Sequence, residues 1–117
     1  FLPYGPSPQG IAIFEPGNRF IITVMRSDRP KYAINLPSKG TAEENKQTAE
    51  GTMTYFGTYS VQEVARVIAI HIDASSFPNW SRTDQVREFA ITGDQLTLTA
   101  RALATGGHAD VVWKRVQ

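Results

Sequence analysis

Cysteine is absent from these 117 residues. That excludes disulfides, thiolate metal sites and a cysteine nucleophile, and it fits a reducing compartment. No apolar run approaches the roughly 18 residues that a membrane-spanning helix needs. No basic block occurs either. The 12 Lys+Arg stand against 11 Asp+Glu, a formal charge of +1, so neither nucleic acid nor a membrane is an expected partner. The two histidines, His71 and His108, are far apart and the acids are scattered, which argues against a metal site. Neither a G-x-G-x-x-G run nor a P-loop is present, and no cofactor is expected. The G-x-S-x-G nucleophile of hydrolases is also missing. The stretch "FLPYGPSPQG" lacks the basic start and apolar run of a signal peptide. Together with the missing cysteines, this makes the cytoplasm the expected location.

What is present is ordinary globular composition, 41% hydrophobic and 20% charged, expected to form one domain over residues 1–117. "GIAIF", the turn signal "EPGN" and "RFIITVMR" read as a hairpin. A polar excursion follows, in which "YAIN" suits a brief edge strand. "TAEENKQTAEG" carries the one helix signal. Thr41 and Glu44 have capping-box spacing, and Gly51 is placed to stop the helix. With few large apolar residues, that helix is expected to act as a lid or plug across an end. Alternation returns in Thr52–Val61, Arg66–Asp73, Asp84–Ile91, "LTLTARA" and "ADVVWKRV", with His108 in the Gly106–Gly107 loop. About seven short strands and one short helix predict an all-β antiparallel barrel or sandwich.

Strand alternation assigns faces. In Asp84–Ile91 the larger apolar residues share a face with Gln85 and Arg87, so that face is expected inside, together with an apolar plug of Ile13, Phe20, Ile22, Phe89, Leu96 and Leu98. Arg66–Asp73 is apolar on both faces. An inward His71 would meet Gln85 and Arg87. Tyr55 and Tyr59 share a face, and Phe77 and Trp80 flank a Pro-Asn corner.

The motifs "PYGPSPQG", "MRSDRP" and above all "FPNW" (Phe77–Trp80) with "DQVR" (Asp84–Arg87) resemble the bacterial and fungal lipocalin-like domain family over nearly the whole chain. The resemblance implies an up-and-down calycin-type barrel with a central pocket. It also implies a Gly-x-Trp strand ahead of "PYGP", which these residues do not contain. The barrel edge is therefore expected to be open, or filled by an added strand or a second copy in a homo-oligomer.

Two functional classes stay open. One is a binding module for a small hydrophobic or aromatic molecule, with Tyr55, Tyr59, Phe77 and Trp80 as wall and His71, Gln85 and Arg87 as polar anchors. The other is an isomerase, cyclase or lyase of secondary metabolism. There His71 would move a proton and Arg87 would stabilise negative charge. The plainer readings keep His71 as a buried neutral imidazole and pair Arg87 with Asp73, Asp84 or Glu88.

Overall fold

The computed structural model describes residues 4–102 and 107–116. Seven antiparallel strands are connected in chain order: Gln9–Phe14 (β1), Arg19–Met25 (β2), Thr52–Gln62 (β3), Val67–Ser75 (β4), Thr83–Thr92 (β5), Gln95–Ala102 (β6) and Gly107–Lys114 (β7). They curl into a nearly closed barrel. One helix, Ala42–Glu50 (α1), lies between β2 and β3.

The connections sort by length. One end has tight turns, and two of them use left-handed backbone at Asn18 (φ 66°) and Gly93 (φ 61°), residue types that tolerate it. The third turn holds Arg66 there, at φ 58°. The other end gathers the lead-in before β1, the long excursion from Arg26 to Gly51, and the Phe77–Trp80 corner. This second end is the mouth.

The inner face carries the core. Phe20, Ile22, Tyr55, Ile68, Ile70, Ile72 and Leu98 are buried together, with Ala12, Phe14, Phe89, Leu96 and Trp113 packed against them. Each large aliphatic or aromatic side chain so buried contributes roughly 1.5–3 kcal/mol. Aromatic contacts run the length of the barrel, from Tyr59 through Phe14, Phe20, Tyr55 and Trp80 to Phe77.

Four local expectations change. Ile13 lies outside, because Phe14↔Phe20 and Ala12↔Ile22 are the inward pairs of β1 and β2. "YAIN" forms no strand: the Ala33 N–H is bound by the Glu44 carboxylate, and the Leu36 N–H turns back to the Ile34 carbonyl. Helix α1 has the full capping box at Thr41 and Glu44, but none of its residues is buried, so it rests beside β3 and plugs nothing. Gly107 and His108 open β7, with His108 opposite Arg101, while Gly106 lies outside the described residues.

Strands β3 and β4 pair through a bulge. Phe56 faces Ala74 and Gly57 faces Ile72, leaving Asp73 unopposed. Gly57 is required there, since a Cβ would stand 1.8 Å from the His71 carbonyl oxygen.

The seam of the barrel lies between β1 and β7, which have no ladder to each other. In an all-antiparallel meander the first and seventh strands run in the same direction. A strand antiparallel to both would complete the alternation. A cleft of 740 Å³ opens at this seam, lined by Ile11, Ile13, Ile91, Val112 and Trp113 among others. The Trp113 indole N–H, buried there, finds no acceptor among the described residues.

Candidate functional site at the barrel mouth

The corner between β4 and β5 is built to hold one ring. Pro78 occupies the first turn of a 3₁₀ helix that ends at Trp80. The Ser75 hydroxyl accepts from the Phe77 N–H at 3.1 Å, and the Ser81 hydroxyl accepts from the Ser75 N–H at 3.1 Å. The Thr83 hydroxyl donates to the Trp80 carbonyl at 2.6 Å. Arg82 adopts a left-handed backbone (φ 61°), uncommon for a side chain of its size, and its N–H is tied to the Ile72 carbonyl at 2.7 Å. These hydrogen bonds hold the turn that carries Trp80. The indole meets Tyr55 edge-on, with centroids 5.4 Å apart, and Phe77 at 6.0 Å.

Strand β5 turns Thr83, Gln85 and Arg87 to the inside. Arg87 is 8% exposed. Its side chain reaches back toward the mouth. One terminal nitrogen donates to the Gln85 amide oxygen at 2.6 Å, and the other to the Val86 carbonyl at 3.3 Å. The guanidinium carbon stands 5.5 Å from the Trp80 ring centre and 6.0 Å from that of Tyr55. Gln85 in turn donates to the Thr83 hydroxyl at 3.4 Å. A guanidinium has five N–H donors, and the contacts among described residues use two of them.

None of the ion pairs among the described residues involves Arg87. The expected pairing with Asp73, Asp84 or Glu88 does not form. Arg87 faces inward, whereas Asp84 and Glu88 alternate to the opposite face of the same strand, and Asp73 lies outside with His71. A charge taken out of water with no counter-charge is costly. The π faces of Tyr55 and Trp80 offset part of that cost.

Tyr4 joins this group from the lead-in. Burial, then the neighbouring Tyr55, raise its hydroxyl pKa above the ordinary tyrosine value, while Arg87 pulls the other way. The next residue, Gly5, is buried in left-handed backbone (φ 78°) against the Arg26 guanidinium, which is itself held by Asp28 at 2.8 and 2.9 Å. The motifs "PYGP" and "MRSDRP" therefore meet at the mouth. Tyr4 was not singled out by sequence reasoning, although its motif was. A lone tyrosine among three prolines gives no periodic signal of an inward side chain.

His71 belongs elsewhere. It stands on the outer face, 46% exposed, with Nδ1 2.8 Å from Asp84 Oδ1 and Nε2 3.7 Å from Asp73. Arg19 continues the row at 4.0 Å from Asp73. The inward His71 is corrected by the isoleucines. Turning Ile68, Ile70 and Ile72 inside buries far more apolar surface than turning Val67, Ala69 and His71 inside. From the outer face, His71 reaches neither Arg87 nor anything held beside it. Tyr59 also leaves the group. It faces inward but toward the tight-turn end, where its hydroxyl donates to the Glu15 carbonyl at 2.9 Å and its ring abuts Phe14. Of the expected site residues, the structure gathers Tyr55, Phe77, Trp80, Gln85 and Arg87 at the mouth, with Phe77 at the outer rim. Among the described residues there is no cluster of His and acids able to hold a metal ion.

Comparison with known proteins agrees with this architecture. The family profile described as "Lipocalin-like domain" matches residues 1–116. The 4'-hydroxy-3'-methoxypropiophenone carrier protein ppsC of Aspergillus oryzae (strain ATCC 42149 / RIB 40) is 29% identical over 103 residues, covering 80% of this chain and 93% of that protein. No solved structure matches. With its barrel, its mouth corner and a profile match over nearly every residue, the chain belongs to the lipocalin-like domain family.

Proposed function

We propose that this chain binds and carries a small aromatic molecule at the mouth of its barrel. One observation carries the reading: Arg87 is buried against the Tyr55 and Trp80 rings with no carboxylate partner among the described residues. A protein that only filled its barrel would have placed an apolar residue there. A carrier needs an apolar wall with a few orienting polar groups. Tyr55, Trp80 and Phe77 supply the wall, and Arg87 and Gln85 the polar groups. The carrier name of the Aspergillus relative supports the same class of function. The enzymatic alternative loses its proton-transfer group, because His71 stands on the outer face.

The test is a calorimetric titration with 4'-hydroxy-3'-methoxypropiophenone, paired with native mass spectrometry of freshly purified protein. Saturable one-to-one binding that Trp80→Ala weakens supports the reading. A protein that binds neither this ketone nor a neutral apolar dye such as Nile red refutes it.

We also propose that the seam between β1 and β7 takes an added strand running antiparallel to both, from another segment or from a second copy. The apolar cleft and the unpaired edges support this. Hydrogen exchange that is fast at every outward-facing amide of both edges, in every oligomeric state, would refute it.

A further inference from the structure

We infer that the molecule bound at the mouth presents an aromatic-linked oxyanion, a carboxylate or a phenolate, to Arg87, with Gln85 beside it. This rests on the carrier reading above and narrows it to a charge class.

The first argument is electrostatic. Arg87 carries a guanidinium cation, it is 8% exposed, and among the described residues only π faces and neutral dipoles contact it. π faces and amide oxygens offset the cost of burying a cation but leave its charge unneutralised. The group that completes the balance is an anion. Asp73 on the neighbouring strand β4 and Asp84 on β5 itself, acids that could have supplied it, are engaged on the outer face by Arg19 and His71.

The second argument is geometric. Gln85 accepts from one end of the guanidinium fork at 2.6 Å, and its own amide nitrogen is held by Thr83. This chain from Thr83 through Gln85 sets the plane of the fork. The N–H groups that remain match a carboxylate or phenolate oxygen. Trp80 and Tyr55 flank the same guanidinium, so an arene attached to that oxygen meets aromatic surface at once.

The test uses matched pairs measured by calorimetry. 4-Methoxybenzoate against 4-methoxybenzamide isolates the carboxylate. 4-Hydroxypropiophenone against 4-methoxypropiophenone, with pH carried through ionisation of the phenol, isolates the phenolate. Nile red serves as a neutral probe of the apolar wall. A charge-assisted hydrogen bond gives a preference of roughly tenfold to a hundredfold for the anion. That preference is expected in one arm or both, and the arm that shows it names the source of the oxyanion. Arg87→Lys retains part of it. Arg87→Met abolishes it while Nile red still binds. Equal affinity within both wild-type pairs, with Nile red bound, overturns the oxyanion inference and leaves the carrier reading standing. A preference that survives Arg87→Met also overturns it. Failure of every probe, Nile red included, removes the carrier reading itself.

Discussion

Replacing Arg87 with methionine separates a residue kept for a ligand from one kept for the fold. Leaving a charge buried and unpaired costs roughly 3–5 kcal/mol. Against this, the structure sets a short charged hydrogen bond to Gln85, worth roughly 1.5–3 kcal/mol, and a long one of 3.3 Å to the Val86 carbonyl, which adds little. It also sets two ring contacts at 5.5 and 6.0 Å, worth roughly 1 kcal/mol each. These opposing contributions nearly cancel. Methionine has a similar length and flexibility and can pack against Tyr55 and Trp80 in place of the Arg87 stem without leaving a large cavity. Arg87→Met is therefore expected to unfold within about 1 kcal/mol of wild type, on either side. In the same variant, affinity for an aromatic anion falls by about tenfold or more. Urea unfolding followed by far-ultraviolet circular dichroism gives the first quantity from the midpoint at constant slope. Calorimetry gives the second. A loss of 3 kcal/mol or more without ligand would refute the reasoning. It would mean that Arg87 holds an internal structural contact, and that its lack of a carboxylate partner has no bearing on ligands.

Other expectations follow from the same geometry. His71→Ala leaves ligand affinity within twofold of wild type, because the imidazole lies outside the barrel with Asp84 and Asp73; a larger loss by calorimetry would return His71 to the site. Gly57→Ala destabilises by about 3 kcal/mol in urea, since the new Cβ meets the His71 carbonyl oxygen at 1.8 Å and must push backbone aside; an unchanged midpoint contradicts the bulge as described. The Thr41 and Ala33 amides hold the Glu44 carboxyl below the usual glutamate range. A group depressed in this way contributes stability above its unfolded pKa and loses it as pH falls through the folded value. The Thr41 and Ala33 amides should therefore lose protection, taken relative to intrinsic exchange at the same pH, on acidification below the usual glutamate range, and protection that persists there would show that the capping box is not formed in solution.

The parts of the fold that were legible in sequence rest on local physics. Thr41 and Glu44 form their capping box wherever the helix lies, because both partners are within one turn. "EPGN" turns the chain because Asn accepts left-handed backbone. Strand β5 gave up its inward face, since Phe89 weights that side of the alternation and takes Gln85 and Arg87 with it. Strand β4 shows where a local reading stops. Both of its faces are apolar, and a shift of one residue exchanges them. The decision came from the neighbours: Ile72 lies opposite Gly57, Ile70 opposite Tyr59, and Ile68 opposite Arg87. Only the closed sheet could choose between Ile70 and His71, because the choice depends on which face the other strands need to fill.

The same division runs through the site. The sequence alone determined that an amide and a guanidinium enter the barrel from one strand, and that two aromatic residues flank the corner before it. Tertiary structure decided the rest. It brought Tyr55 from β3 and Trp80 from the corner to the same guanidinium. It sent Tyr59 to the opposite end, and it turned Asp73 and Asp84 to the outer face, away from Arg87. Those outcomes depend on register between strands far apart in sequence, which alternation within one strand does not encode. The unpartnered charge at the mouth, the feature on which the functional reading rests, exists only because the folded sheet keeps the nearest acids on the opposite face.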